Sequence, residues 1–191
     1  MKIDKSTIVS FILLVLIASL YRVMPGRLFG FAPQIAMALF AGSVVKDKKL
    51  SFLLPILSLF ISDIIYEVLN RNGLSAIEGF YHGQLLNYIL FAAITIFGFF
   101  IQKENIIEIA LGAIAGATGY FILSNFGVWI SGGLDINNIP YPKTVLGLVE
   151  CFRAAIPFYK MSIYSTLFFS AVLFGGYYLV NKYVAKPVAV A

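Results

Sequence analysis

The sequence predicts an all-α fold, a polytopic membrane helix bundle of six transmembrane helices with a short interfacial or re-entrant helix before the last. Three observations carry that expectation. Of 191 residues, 60% are apolar and only 12% are charged, about half the charged share of a soluble domain. Mean hydropathy is +0.91; a chain so poor in charge cannot cover a globular surface with polar groups, so lipid is its expected solvent. Finally, apolar runs near the ~20 residues that cross a ~30 Å hydrocarbon core recur between short polar connectors.

The first run, residues 7–24, follows Lys2 and Lys5. It has the basic and apolar parts of a signal peptide, but further spans follow it and a small-residue cleavage site does not. It is therefore expected to stay as a helix, ended by Pro25 and Gly26. The second run, 32–45, is short and begins beside Pro33, a favoured residue in a first helical turn. Such a helix is expected to be tilted or shielded by neighbours. Lys46-Asp47-Lys48-Lys49 closes it. The third run, 50–69, contains Pro55, Asp63 and Glu67, and a polar loop leads from it to the fourth, 84–101. A tight turn ending at Asn105 precedes the fifth run, 106–130, and the last span is 161–183. Residues 1–191 thus read as a single transmembrane domain.

Residues 131–160 form a lid-like insert on the outer side. Ser131-Gly132-Gly133 and the stretch Asn137 to Pro142 have turn chemistry. Thr144 is expected to cap a short helix that runs to Ile156 and is stopped by Pro157. Glu150 and Arg153, three residues apart, are expected to pair.

Positive charge orients the bundle. With the N-terminus inside, eight lysines face the cytoplasm: Lys2, Lys5, Lys46, Lys48, Lys49, Lys103, Lys182 and Lys186. Arg22, Arg27, Arg71, Arg153, Lys143 and Lys160 then lie outside. Every arginine falls on the outer side, and arginine's planar fork suits specific pairing with carboxylates or phosphates. The expected location is the cell's inner, cytoplasmic membrane, crossed several times, with both termini in the cytoplasm.

The net charge of +5 does not indicate nucleic acid, because the basic residues sit in connectors rather than interleaved with aromatics on a polar face. The one cysteine, Cys151, excludes an internal disulfide, and the one histidine, His82, leaves little for a metal site. No cofactor is expected. The phosphate-cradling loop of nucleotide hydrolases is absent, and no nucleophile–base pair is visible, so the chain is not expected to be an enzyme.

Ionisable groups inside a span cost about 2.5–3.5 kcal/mol on insertion scales and mark function or internal pairing. Asp63, Tyr66, Glu67 and Asn70 share one face of the third helix by their spacing. Two carboxylates one turn apart repel, so a cation should accompany them. Arg22 is the expected partner, then Arg27. Asn125 and Trp129, at the outer end of the fifth helix, and Glu150 and Arg153 complete the candidate substrate-binding set. The competing reading is a salt bridge that locks helices together, and both stay open. Gly112, Gly116 and Gly119, and Ala32 with Ala36, let helix backbones approach closely. They serve packing within the bundle or docking of a partner.

The short second helix opens with Phe31-Ala32-Pro33-Gln34-Ile35-Ala36 and closes on Phe40-Ala41-Gly42, and the third carries Pro55 and Ser62-Asp63. This arrangement resembles the substrate-binding S components of energy-coupling-factor transporters. An uncharacterised bacterial membrane family related to them is similar through Tyr141-Pro142-x-Thr144-x-x-Gly147-Leu148-x-x-Cys151 and Ile156-Pro157-Phe158. The resemblance implies a ligand held near the outer face beneath loops 25–31, 70–83 and 131–160. It also implies capture of a vitamin-like micronutrient and partnership with a membrane coupling subunit and two ATPases. In S components the alanine-rich coupling motif lies on the first helix, whereas here that helix has Ser6-x-x-x-Ser10, and Ala32 and Ala36 belong to the second. The expected function is a solute-binding and transport subunit for a small vitamin-like or anionic solute. The alternative is an accessory structural subunit of a larger membrane complex.

Overall fold

A computed structural model describes residues 5–81 and 83–183, with side chains from Ser10 onward. The expectations for Lys2, Lys186, His82, both termini and the side chains of Lys5 and Ser6 lie outside these residues. The described chain is all-helical: α1 (Lys5–Val23), α2 (Gln34–Val44), α3 (Lys48–Arg71), α4 (Gln84–Gly98), α5 (Ile106–Ser131) and α6 (Val145–Tyr183). An isolated antiparallel bridge joins Leu134 to Pro140. Three helices, α3, α5 and α6, are long and apolar enough to cross a membrane; α2, α4 and the Ser10–Val23 part of α1 are shorter apolar helices.

The helix starts follow local chemistry. Asp47 caps α3 by accepting from Lys49 N and Leu50 N, and Asn105 caps α5 by accepting from Ile107 N and Glu108 N. At the end of α5, Gly132 takes the left-handed conformation (φ 82°) and Gly133 N donates to Val128 O at 2.8 Å. That pattern satisfies the last carbonyls and turns the chain sharply.

The last helix corrects the sequence reading. The expected short helix from Thr144 to Ile156 and the expected span 161–183 are one helix of 39 residues, with Pro157 inside it. Thr144 does cap its start, accepting from Gly147 N at 3.2 Å. Proline removes one ladder hydrogen bond and crowds the preceding turn, but packing holds the residues after it from both sides. Tyr159 stacks on Phe121 at 4.4 Å. A Cβ on Gly30, where the chain is left-handed, would stand 2.6 Å from Phe158 O, so the α1–α2 loop lies directly on α6. At 1.5 Å per residue the helix is about 58 Å long, roughly twice a hydrocarbon core. The lid-like insert therefore reduces to the loop 132–144 and the first turns of α6. Glu150 and Arg153 are not among the ion pairs of the described residues.

α2 is the central element, packed against α3, α4, α5 and α6, while α1 packs on α3 and α5 on α6. Its residues from Gln34 to Gly42 are all buried. At about 16 Å it is too short to cross a bilayer alone, and its neighbours shield its ends. Gly42 and Gly98 let α2 and α4 cross backbone to backbone: a Cβ on Gly98 would lie 2.6 Å from Leu39 O. Gly112 meets Ile101 and Gly116 meets Leu39, whereas a Cβ on Gly119 would meet nothing within 4 Å. Ala36 is fully buried. Of the three predicted glycines on α5, Gly119 alone faces open space.

Polarity is distributed inside out. Ser19, Ser51, Ser58, Ser62, Asp63, Gln84, Thr95 and Thr166 are buried, while large aliphatic and aromatic residues such as Leu20, Phe60, Ile89, Leu111 and Phe168 are exposed. Water as solvent would reverse this pattern; lipid rewards it, because interior polar groups then find partners that acyl chains cannot offer. Ser19 Oγ donates to Ser58 O at 3.0 Å and so ties α1 to α3.

Candidate functional site

The α1–α2, α3–α4 and α5–α6 loops gather at one end of the bundle, with the α2–α3 and α4–α5 turns at the other. At the first end the polar residues of three helices meet. Arg22, in the last turn of α1, donates through Nη1 to Ser62 Oγ at 2.6 Å and forms an ion pair with Asp63. Asp63 is 3% exposed. Its other oxygen accepts from Gln84 Nε2 and from Tyr88 OH, the latter at 2.7 Å. One buried carboxylate thus joins α1, α3 and α4 with charge-assisted bonds. Tyr66 OH donates to Arg22 O at 2.6 Å, fixing the end of α1 from the same face of α3.

Glu67 and Asn70 do not join this cluster, although they share the helix face with Asp63. Glu67 accepts from Arg71 Nε at 2.7 Å and from Phe80 N at 3.3 Å, and Asn70 Nδ2 donates to Ser75 O at 3.0 Å. Both lie past the buried layer in the last turns of α3, where their side chains bond to the α3–α4 loop and water screens them. The expected repulsion between Asp63 and Glu67 is relieved by a separate cation for each. Among the described residues Arg27 meets no carboxylate. Its Nε donates to Arg22 O at 3.0 Å and its Nη1 to Phe31 O at 3.0 Å, which shapes the α1–α2 loop.

Beside the charged cluster lies a cavity of about 310 Å³ to which all six helices contribute. Arg22, Arg27, Gln34, Asn87, Tyr120 and Asn125 supply its chief polar groups, and Phe91, Phe121 and Phe158 its aromatic walls. Among the described residues its lining has two guanidinium groups and no carboxylate. Asn87 accepts from Tyr120 OH at 2.8 Å and donates to Tyr81 OH, so it bridges the α3–α4 loop to α5. Burial raises the Tyr81 phenol above its ordinary value. A second cavity of about 440 Å³ lies under the loop residues Tyr81, Gly83 and Gly132 and shares Asn87 and Ser124 with the first.

Of the residues singled out from the sequence, Arg22, Arg27, Asn125 and Ala32 line the central cavity. Asp63 and Tyr66 support it through Arg22. Glu67, Trp129, Glu150, Arg153, Ala36, Gly112, Gly116 and Gly119 do not line it. Trp129 instead donates from Nε1 to Pro142 O at 2.8 Å, holding the 132–144 loop. Cys151 is a buried free thiol donating to Asn125 O at 3.5 Å. Among the described residues, no group of three or more His, Cys, Asp or Glu side chains is placed to hold a metal ion.

Sequence reasoning missed Gln34, Gln84, Asn87 and Tyr88. Each carries the same signal that flagged Asp63, a hydrogen-bonding side chain within an apolar run. They were passed over because they are neutral and stand near the starts of α2 and α4, where a polar residue is unremarkable.

Residues 2–188 match the model of a family described as a family of unknown function (DUF6580). No curated protein and no solved structure matches the chain.

Proposed function

The chain belongs to the DUF6580 family, and from its cavity we propose that it is a membrane-embedded subunit that binds a small anionic solute for transport. In this reading all six helices span the cytoplasmic membrane, with α1, α2 and α4 shielded by the longer three. The termini are cytoplasmic, and the loops over the cavity face outward. One observation carries the proposal: a cavity of about 310 Å³ lined by residues of six helices, with two guanidinium groups and no carboxylate in its lining. Its volume is at the lower end for small-molecule sites. Guanidinium groups screened from water hold carboxylate-like anions through paired, charge-assisted bonds. The arrangement under three loops at one end also fits the resemblance to S components.

Gently purified protein should carry a small-molecule adduct by native mass spectrometry, and Arg27→Gln should lose it without losing the fold, since Arg27 bonds to backbone carbonyls. Wild-type protein that is free of small molecules but holds a protein subunit would favour the accessory reading. That second reading has one observation of its own. An apolar groove of about 240 Å³ between α4 and α5 is walled by Ala93, Ala115, Gly116 and Gly119, a surface on which another helix would pack closely.

A further inference from the structure

We propose that the central cavity selects a small organic anion with a single negative charge and a hydrogen-bond donor. This rests on reading the cavity as a solute site and names the substrate class of that site. The single charge follows from the neighbouring ionised groups. Arg22 is already neutralised by Asp63. The polar contacts of Arg27 are with carbonyl oxygens of Arg22, Leu28 and Phe31, so its formal charge has no counter-ion among the described residues. Cavity and supporting layer together carry one net positive charge. A monoanion balances it; a dianion leaves one negative charge unpaired, and a neutral ligand leaves the Arg27 charge unpaired. Arg27 is half-buried, so water screens a charge mismatch there only in part and either sign is penalised.

The donor follows from Gln34. This residue is in the cavity lining and is 3% exposed. Its Nε2 donates to Ala18 O at 3.4 Å, which turns that arm of the amide toward α1. Its Oε1 is buried and accepts from nothing. Buried acceptors are almost always matched, and the desolvation cost of an orphan is recovered when a ligand brings an N–H or O–H to it. Ser170 Oγ, also buried without a partner, is not in the lining. Phe91, Phe121 and Phe158 favour a flat or apolar body between the charged end and the donor.

Four probes on one ring separate these elements: 3-hydroxybenzoate, 3-methoxybenzoate, isophthalate and 3-hydroxybenzamide, titrated at pH 7 into purified full-length protein. The hydroxy acid should bind about tenfold or more tighter than the dianion or the amide. It should bind about fivefold tighter than the methoxy acid. Arg27→Gln should erase the advantage of the acid over the amide. Gln34→Leu should erase the hydroxy–methoxy difference and keep the charge preference. Isophthalate binding as tightly as 3-hydroxybenzoate would overturn the single-charge assignment while leaving the anion site standing. Equal binding of the hydroxy and methoxy acids would remove Gln34 from the assignment. Binding by none of the four would overturn this inference, while the solute-site reading would still be decided by the native mass spectrum. The wild-type comparisons decide the matter even where a variant fails to fold.

Discussion

Asp63→Ala should be the most damaging single change in the polar layer. It removes the acceptor for Arg22 Nη1, Gln84 Nε2 and Tyr88 OH at once. The ion-pair partners are 20% and 4% exposed at the side chain, so solvent does little to screen the loss. Breaking a buried pair from one side costs about 3–5 kcal/mol, because the surviving charge stays buried without a partner. For a chain of this size each kcal/mol moves Tm by about 2–4 °C, which gives a fall of about 6–20 °C in detergent-solubilised protein by scanning fluorimetry. Asp63→Asn keeps one carbonyl acceptor and should cost about 1.5–3 kcal/mol, the worth of a bond to a charged group. Glu67→Gln is the control. Its partner Arg71 is 76% exposed, and solvent screens an exposed pair on one helix so that little stability rides on it. Exchanging the charges, with Arg22→Asp and Asp63→Arg, should not rescue, since Gln84 and Tyr88 would then point donors at a guanidinium. A loss below about 1 kcal/mol for Asp63→Ala, or full rescue by the exchange, would show that this layer does not hold α1, α3 and α4 together.

Three further outcomes follow from particular contacts. Gly42→Ala should cost about 1–3 kcal/mol by overpacking, since its Cβ would sit 2.9 Å from Gly98 Cα, whereas Gly119→Ala, with nothing within 4 Å, should gain about 0.4–1 kcal/mol; the two Tm values check this. In a Cys151→Ser background, Asn138→Cys should react with an impermeant thiol reagent on intact cells, and Lys48→Cys should react only after permeabilisation. Asp135 is held below the usual carboxylate range chiefly by the Ile139 N–H, and also by Asn137. A depressed folded value means that the contribution to loop order is complete above the unfolded value and is lost as pH falls through the folded one. Acid-protease cleavage near Asn137–Asn138 should therefore rise below the ordinary carboxylate pKa relative to Asp135→Asn, whose cleavage should lack that step.

The all-helical fold was legible because hydropathy marks apolar runs, and Asp47, Asn105 and Gly132 mark helix ends with strong local chemistry. The continuity of α6 was not legible. Pro157 is a stop signal taken alone, and only the contacts of Phe158 and Tyr159 with the α1–α2 loop and α5 outweigh it; those partners lie far away in sequence. The Arg22–Asp63 pair was legible for the opposite reason, since a carboxylate within an apolar run needs a cation and few are near. Placing Glu67 beside it failed because helical spacing fixes a face but not a depth. One turn further along α3, water and Arg71 replace the buried layer. The neutral donors Gln84 and Tyr88 completed the Asp63 site without announcing themselves, because nothing in their own segments demanded a partner.

The shared use of Arg22 links the supporting layer to the cavity. Among the described residues its side-chain hydrogen bonds leave from Nη1, toward Ser62 and Asp63, while its backbone carbonyl is held by Tyr66 and Arg27. The guanidinium is thus fixed by one edge, and a ligand using another edge finds a group whose ordering is already complete, which lowers the cost of binding. Asp63→Asn tests this directly, because it loosens that anchor and raises the net charge beside the cavity by one unit. A protein that folds with this change should bind 3-hydroxybenzoate more weakly relative to isophthalate than the wild type does. Thermal stability measured alongside separates lost folding from altered selectivity. A folded Asp63→Asn protein with the wild-type ratio of monoanion to dianion affinity would place Arg22 beyond the ligand's reach, and would leave Arg27 as the cation that matters.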